Sequence, residues 1–132
     1  MSNVETVQGI YAAFGSGDIP AILAKLADDV EWEYGQGKND VPWLQPRRGC
    51  AAVGGFFESL AGADFHKFAP KEIIDGGHTV VALIDIDFTV KATGKRIIEE
   101  DEIHLWRFGA DGKVARFRHG ADTRAHQLAV KG

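Results

Sequence analysis

The stretch His78–Val90, with the sequence HTVVALIDIDFTV, decides the fold class. Its apolar side chains recur with a period of two, which is typical of a β-strand. The same period continues through four segments, near residues 65–74, 78–90, 96–108 and 113–122. Turn-forming pairs separate them at Gly76-Gly77, Thr93-Gly94 and Asp111-Gly112. The sequence therefore predicts consecutive antiparallel strands joined by hairpins.

Upstream of these strands, the apolar residues are spaced for helices. Val4, Val7, Tyr11 and Phe14 lie three or four residues apart, which predicts an amphipathic helix over residues 3–15. Helices followed by a run of antiparallel strands indicate an α+β domain, with the helices packed on one face of a curved sheet.

The region between the first helix and the strand run has a mixed pattern. Asp18 can cap a second helix, and apolar positions within 53–60 mark a third. Residues 30–34 alternate as a short strand that would join the sheet. Residues 35–48 are rich in glycine and proline and predict a long binding or lid loop. The last ten residues are expected to form a tail.

Composition narrows the function classes. The chain has 132 residues, enough for one domain spanning residues 1–132. Its 15 Lys and Arg residues are outnumbered by 19 Asp and Glu residues, which argues against nucleic acid as a partner. Cys50 is the single cysteine, so no internal disulfide can form. No apolar run approaches the ~20 residues of a membrane span, and no secretory signal is evident. We expect a cytoplasmic protein that does not bind membranes.

Hairpin geometry predicts which side chains share a face of the sheet. With Thr93 and Gly94 at one tip, and Ala110 and Asp111 at the next, one face is mixed in character. It carries Val81, Leu83, Asp85, Asp87, Glu100, Glu102, His104, Trp106, Phe117 and His119. The opposite face is apolar and carries Ala82, Ile84, Ile86, Phe88, Val90, Ile97, Ile103 and Leu105. The pattern alone leaves open which face the helices cover.

Several segments together carry a resemblance to a known family. They are Ile10–Phe14 with Gly17–Ile19, Ala27–Glu33, Arg48-Gly49, His104–Phe108, and Asp111–Val114 with Phe117-Arg118. In order and spacing they resemble the nuclear transport factor 2-like superfamily, specifically its SnoaL-like and ketosteroid isomerase-related members. The resemblance implies a cone-shaped, mostly antiparallel sheet wrapped around the N-terminal helices. It also implies that the mixed face lines an internal pocket and that the outer face forms a homodimer.

His104 and His119 are the first candidate catalytic residues. By the resemblance, His104 occupies the strand position from which ketosteroid isomerases donate to the substrate oxygen. A partly desolvated imidazole there would stay neutral. The alternative is a core histidine bonded to backbone. His119 facing Glu102 would form a base and orienting pair, and the alternative is an ion pair at the rim. His119 replaces the carboxylate that limonene-type epoxide hydrolases carry.

Asp85 and Asp87 are the other catalytic candidates. With Glu100 and Glu102 they form a predicted acidic cluster, in which repulsion would raise at least one pKa toward neutrality. If the cluster is open to water, it is only a solvated rim. The histidines and carboxylates could also supply a metal site. Because metal-binding spacing is absent locally and the relatives are mostly metal-free, we predict neither a metal nor a cofactor.

The expected ligand is small and apolar or aromatic. The residues predicted to bind it are Trp32, Tyr34, Trp43, Phe57, Leu83, Glu102, Trp106 and Phe117. By the resemblance, the leading interpretation is an isomerase or cyclase that moves a proton α to the carbonyl of an apolar or polyketide-like compound. Two alternatives stay open at this point: a non-catalytic ligand-binding or dimerisation module, and hydrolysis of an epoxide or similar electrophile.

Overall fold

The computed structural model describes residues 2–131. Within that range the helices are α1 (Asn3–Gly15), α2 (Ile19–Leu23), α3 (Cys50–Ser59) and α4 (Thr123–Val130). The strands are β1 (Leu26–Trp32), β2 (Arg47–Arg48), β3 (Ala63–Gly76), β4 (Thr79–Val90), β5 (Arg96–Phe108) and β6 (Val114–Gly120). Single 3-10 turns occupy Pro42–Leu44 and Leu60–Gly62. The predicted helices and strands occur in the predicted order, with two additions: β2 lies within the predicted loop at 35–48, and α4 lies within the predicted tail.

Side-chain caps explain where α1, α2 and α4 begin. The Ser2 hydroxyl accepts from the Glu5 N–H, and the Glu5 carboxylate accepts from the Ser2 N–H in return. Asp18 accepts from the N–H of Ala21, as predicted, and starts α2. The predicted C-terminal tail is wrong, because Asp122 caps a further helix, α4.

The strands form one curved sheet in the order β2-β1-β6-β5-β4-β3. All neighbours are antiparallel except β1 and β6, which run parallel. The predicted strand at residues 30–34 does join the sheet, although it begins earlier, at Leu26. The α+β class and the curved sheet around N-terminal helices are confirmed.

A β-bulge makes the predicted register of the β4–β5 hairpin wrong. His104 pairs with Ala82 and not with Leu83. The pairing shifts by one residue beside Asp101, whose φ of 60° is left-handed. The Asp101 N–H donates to the Asp85 carboxylate at 3.1 Å, which holds the bulge in place. Aspartate is among the few residues that tolerate this backbone conformation.

The bulge divides the predicted mixed face into two. C-terminal to the bulge, the even-numbered side chains of β5 lie on the same face as the even-numbered side chains of β4. The buried face carries Ala82, Ile84, Ile86, Phe88, Ile97, Glu102, His104, Trp106, Phe117 and His119. The outer face carries Val81, Leu83, Asp85, Asp87, Glu100, Ile103 and Leu105. Both predicted faces were therefore part right and part wrong.

The β5–β6 hairpin also departs from its predicted register. His104 pairs with His119 and not with Phe117, which pairs with Trp106. A longer turn at 109–113 and an irregularity next to it shift the pairing by two residues. A shift of two keeps every side chain on its predicted face.

No helix in residues 2–131 is long and apolar enough to cross a bilayer.

Candidate functional site

A cavity of about 70 Å³ lies between the helices and the buried face of the sheet. Its wall is mostly aromatic. Of the residues predicted to bind a ligand, it includes Trp32, Trp43, Phe57, Glu102, Trp106 and Phe117. His104 and His119 line it as well. The sequence therefore identified eight of the twenty residues that line the cavity, and ligand binding by these residues stays a prediction.

His104 lies at the centre of a buried chain of hydrogen bonds. Only 4% of the residue is exposed. Its Nδ1 lies 2.7 Å from the Tyr11 hydroxyl, which also accepts from Trp106 Nε1 at 3.1 Å. Burial lowers the pKa of His104 below its ordinary value, although neighbouring Glu102 opposes the shift. His104 is therefore neutral at physiological pH.

The same chain fixes the tautomer of His104. The Trp106 indole is a donor only, so the Tyr11 hydroxyl must send its own proton elsewhere. Burial raises the pKa of Tyr11, which keeps that proton in place. The partner left to receive it is His104 Nδ1. The imidazole proton then resides on Nε2, so His104 presents an N–H donor to the cavity.

His119 occupies the opposite electrostatic state. Its Nδ1 lies 2.6 Å from Glu33 Oε2, and its backbone N–H donates to Glu33 Oε1 at 2.7 Å. Burial alone would lower the pKa of His119. The negative charge and hydrogen bond of Glu33, with help from Glu102 and Glu99, instead raise it to about 9. His119 is therefore an imidazolium at neutral pH.

Glu33 is a buried partner of His119 that strand alternation did not predict. The sequence pattern places its side chain on the face opposite the pocket. In the structure β1 ends at Trp32, and Glu33 takes a left-handed φ of 56° that turns its side chain inward. Its carboxylate is fully buried. His119 therefore pairs with Glu33 and not with Glu102, which was its predicted partner. The only sequence feature that indicates an early end of the strand is the Tyr34-Gly35 pair directly after Glu33.

Glu102 provides a second carboxylate inside the cavity. Its Oε2 lies 3.6 Å from His104 Nε2. Burial raises the pKa of Glu102, but His104, His119 and His126 outweigh it and hold the pKa below its ordinary value. The ionised Glu102 carboxylate therefore lies near both the neutral imidazole of His104 and the charged imidazole of His119.

Asp85 and Asp87 do not belong to the site. Both lie on the outer face of β4, where Asp85 pairs with Lys71 at 2.9 Å and Asp87 pairs with Arg96 at 2.6 Å. Those hydrogen bonds hold the pKa values of both carboxyls below their usual range. The bulge at Asp101 separates them from Glu102. Their predicted placement on the same face as His104 and His119 is therefore wrong.

Two predicted ligand contacts also lie outside the cavity. Leu83 is on the outer face of β4. The Tyr34 hydroxyl accepts from Arg107 Nε at 3.0 Å, and Arg116 stacks over its ring at 3.8 Å. The positive φ of Glu33 exchanges the two positions, turning Glu33 inward and Tyr34 outward.

α4 contributes a third buried histidine, which the sequence analysis placed in the tail. His126 is 1% exposed and lines the cavity. Trp43 Nε1 donates to its Nδ1 at 2.9 Å, and its Nε2 bonds Glu99. The second Glu99 oxygen accepts from the N–H of Asp122, at the start of α4. The available sequence signal for this helix was Asp122, because aspartate is common at helix N-caps, and its carboxylate accepts from the N–H of Ala125 in the structure.

Two groups of side chains have the donor types that a metal ion needs. Glu102, His104 and His119 form one, and Glu99, Glu102 and His126 form the other, each with candidate ligand atoms within 4.8 Å. In the first group, however, the tautomer of His104 directs a proton and not a lone pair toward the centre. In the second, His126 uses both ring nitrogens in hydrogen bonds.

Comparison with known proteins gives a consistent family. Residues 7–117 match the SnoaL-like domain. No curated protein has a significantly similar sequence. An NTF2-like protein of unknown function from Burkholderia pseudomallei K96243 is 28% identical, with both chains covered completely and a TM-score of 0.78. An NTF2-like protein from Burkholderia xenovorans LB400 is 26% identical over 96% of this chain and 94% of that one, with a TM-score of 0.83. TerC, crystallised with polyporic acid, is 27% identical over 98% of both chains, with a TM-score of 0.73.

Proposed function

The chain belongs to the SnoaL-like domain family, and we propose that it binds a small, largely apolar carbonyl compound and catalyses proton transfer at the carbon α to the carbonyl. An isomerisation, an aldol-type cyclisation or a dehydration would use this step. Positioned acid and base groups in a desolvated pocket suffice for it, so the proposal includes no cofactor.

The observation that carries the proposal is the state of His104. It is neutral, and its Nε2–H is buried without a hydrogen bond to the described residues, because the nearest acceptor, Glu102 Oε2, lies 3.6 Å away. A ligand carbonyl at this N–H would gain a donor at the atom where negative charge develops during enolisation. The chain through Tyr11 and Trp106 prevents the ring from flipping or changing tautomer.

The proton would move between Glu102 and His119. Glu102 is ionised inside the cavity and can remove the α-proton. His119 is charged and can return a proton to the enolate, while Glu33 stabilises its imidazolium form. Transfer of the abstracted proton from Glu102 to His119, whose side-chain atoms lie within 4.8 Å, would then restore both groups. Because the two groups have opposite protonation states at neutral pH, one can act as base and the other as acid.

The wall of the cavity favours flat, apolar ligands. Trp32 stacks on Phe117 with ring centroids 4.2 Å apart, and Trp106 lies 4.4 Å from the same ring. Such surfaces suit aromatic or polyketide-like compounds. The co-crystallisation of TerC with polyporic acid supports a small organic ligand for this chain.

We also propose that the outer face of the sheet forms a homodimer, although its composition differs from the predicted one. It carries exposed apolar side chains, including Ile103 at 42% and Ile98 at 69% exposure. A second copy of the chain is the simplest cover for such a face. Analytical ultracentrifugation should give a dimer for the wild type and a monomer for Ile103→Glu. A monomeric wild type would contradict the proposal.

Solvent exchange of α-protons tests the proposed reaction most generally. A panel of flat ketones and hydroxyketones is incubated with the protein in D₂O, and loss of the α-proton NMR signal is followed. We expect the wild type and the control His66→Ala, which changes an exposed histidine on β3, to accelerate exchange. The His104→Ala, His119→Ala double variant should not. Equal rates in both would remove these roles, and tight binding without exchange would favour the non-catalytic alternative.

A further inference from the structure

We propose that the ligand of this cavity carries two hydrogen-bond-accepting oxygens, one bound by His104 and the other by Trp32. A dicarbonyl compound or a hydroxyketone has this character. The inference rests on the proposed function, because it specifies the ligand class of the same pocket.

Two buried donors of the cavity wall lack a hydrogen-bond partner among residues 2–131. They are His104 Nε2 and Trp32 Nε1. The two residues are 4% and 2% exposed. Leaving a buried donor unpaired destabilises a fold, and native proteins pair the great majority of such groups. Two exceptions in one cavity indicate positions that a ligand completes.

The other tryptophans of the cavity show that the unpaired state of Trp32 is specific. Trp43 Nε1 donates to His126, and Trp106 Nε1 donates to Tyr11. All three indoles line the same cavity, and an indole N–H can only donate. A burial effect common to the aromatic wall would leave all three unpaired. Of the three indole N–H groups, only that of Trp32 has no acceptor among residues 2–131, so a ligand can supply one.

The positions of the two donors in the sheet define the shape of the ligand. Trp32 ends β1 and His104 lies on β5, with β6 between those strands. Trp32 pairs through Phe117 with Trp106, two residues along β5 from His104, so the two backbones are about 12 Å apart, and both residues line the cavity. One compact molecule with separated oxygens can reach both, whereas a monoketone satisfies only one of the two.

Matched ligands test this directly by calorimetry. Butyrophenone has one carbonyl, 1-phenyl-1,3-butanedione adds a second on the same chain, and 1-phenyl-1,4-pentanedione moves the second carbonyl one carbon further. We expect at least one diketone to bind the wild type about tenfold more tightly than butyrophenone. In Trp32→Phe, which keeps an aromatic ring but removes the N–H, the ratio of diketone affinity to butyrophenone affinity should fall to about one, whatever the change in butyrophenone affinity itself.

A second measurement covers the case in which Trp32→Phe does not fold. In the ¹H–¹⁵N spectrum of the wild type, the Trp32 Nε1–H signal should move downfield with the diketone and stay in place with butyrophenone. The Trp43 signal serves as the internal control. Diketones that bind no more tightly than butyrophenone, or that leave the Trp32 signal unmoved, would overturn this inference and leave the proposed function standing. Absence of binding by all three, together with absence of α-proton exchange, would overturn both.

Discussion

Two neighbouring histidines on the buried face of the sheet have opposite protonation states, although they line the same cavity. His104 and His119 pair directly between β5 and β6, with ring centroids 4.7 Å apart. His104 has a tyrosine hydroxyl at Nδ1 and is neutral, whereas His119 has the Glu33 carboxylate there and is charged. Burial acts on both rings in the same direction, so the group at Nδ1 decides the outcome.

The largest effect should come from Glu33→Gln, which removes the negative charge that distinguishes the surroundings of His119 from those of His104. His119 would then behave like His104, because burial lowers its pKa when no anion is adjacent. We expect a loss of roughly 3 kcal/mol in the free energy of unfolding at pH 7, the order found when one partner of a buried ion pair is removed. Urea unfolding measures it, and wild-type stability in this variant would contradict the assignment.

The pH dependence of stability carries the same signature. The folded pKa of His119 is about 9, above its ordinary value of 6.5. Its contribution is therefore complete below pH 6.5 and is lost as the pH rises through about 9. The wild type should lose stability over that interval, and Glu33→Gln should lose less. A parallel decline in the two proteins would show that another group is responsible.

Tyr11→Phe should have an intermediate effect that is confined to the neutral histidine, His104. It removes the donor that fixes the tautomer of His104 and leaves the ring, so packing changes little. The α-proton exchange rate should fall about tenfold, in line with the loss of one oriented hydrogen bond. The His119 end should keep its pH-dependent stability. Unchanged exchange in Tyr11→Phe would mean that the tautomer of His104 is irrelevant to the reaction.

The smallest effect is expected on the outer face. Asp85→Asn and Asp87→Asn remove carboxylates that pair with Lys71 and Arg96 near solvent. Partly exposed ion pairs contribute about 0–1 kcal/mol, and neither residue contacts the cavity. Both variants should keep wild-type exchange rates. A large loss of exchange in either would return these aspartates to the site and contradict the structure.

The sequence predicts the elements of this fold better than it predicts the faces of the sheet. Apolar periodicity identified the order of the strands and the boundaries of α1, because it depends only on neighbouring residues. The assignment of faces failed at Asp101 and Glu33, where single residues adopt a left-handed backbone. A period-two pattern does not reveal such a residue, yet a single left-handed residue moves the side chains that follow it to the opposite face of the sheet.

The same two residues explain which site assignments were right. His104, His119, Trp106 and Phe117 lie beyond the bulge on strands whose mutual shift is even, so they share the cavity as predicted. Asp85 precedes the bulge across the hairpin and faces outward. The roles of Tyr11 and His126 depend on packing of α1 and α4 against the sheet, contacts that strand patterns do not describe.

The central claim is that His104 is neutral with its proton on Nε2, while His119 is charged. Long-range ¹H–¹⁵N NMR of the imidazole rings at pH 7.5 reports both properties directly. We expect the neutral Nε2–H pattern for His104 and a doubly protonated ring for His119, which loses its proton near pH 9. A charged His104, or a neutral one protonated on Nδ1, would contradict the central claim.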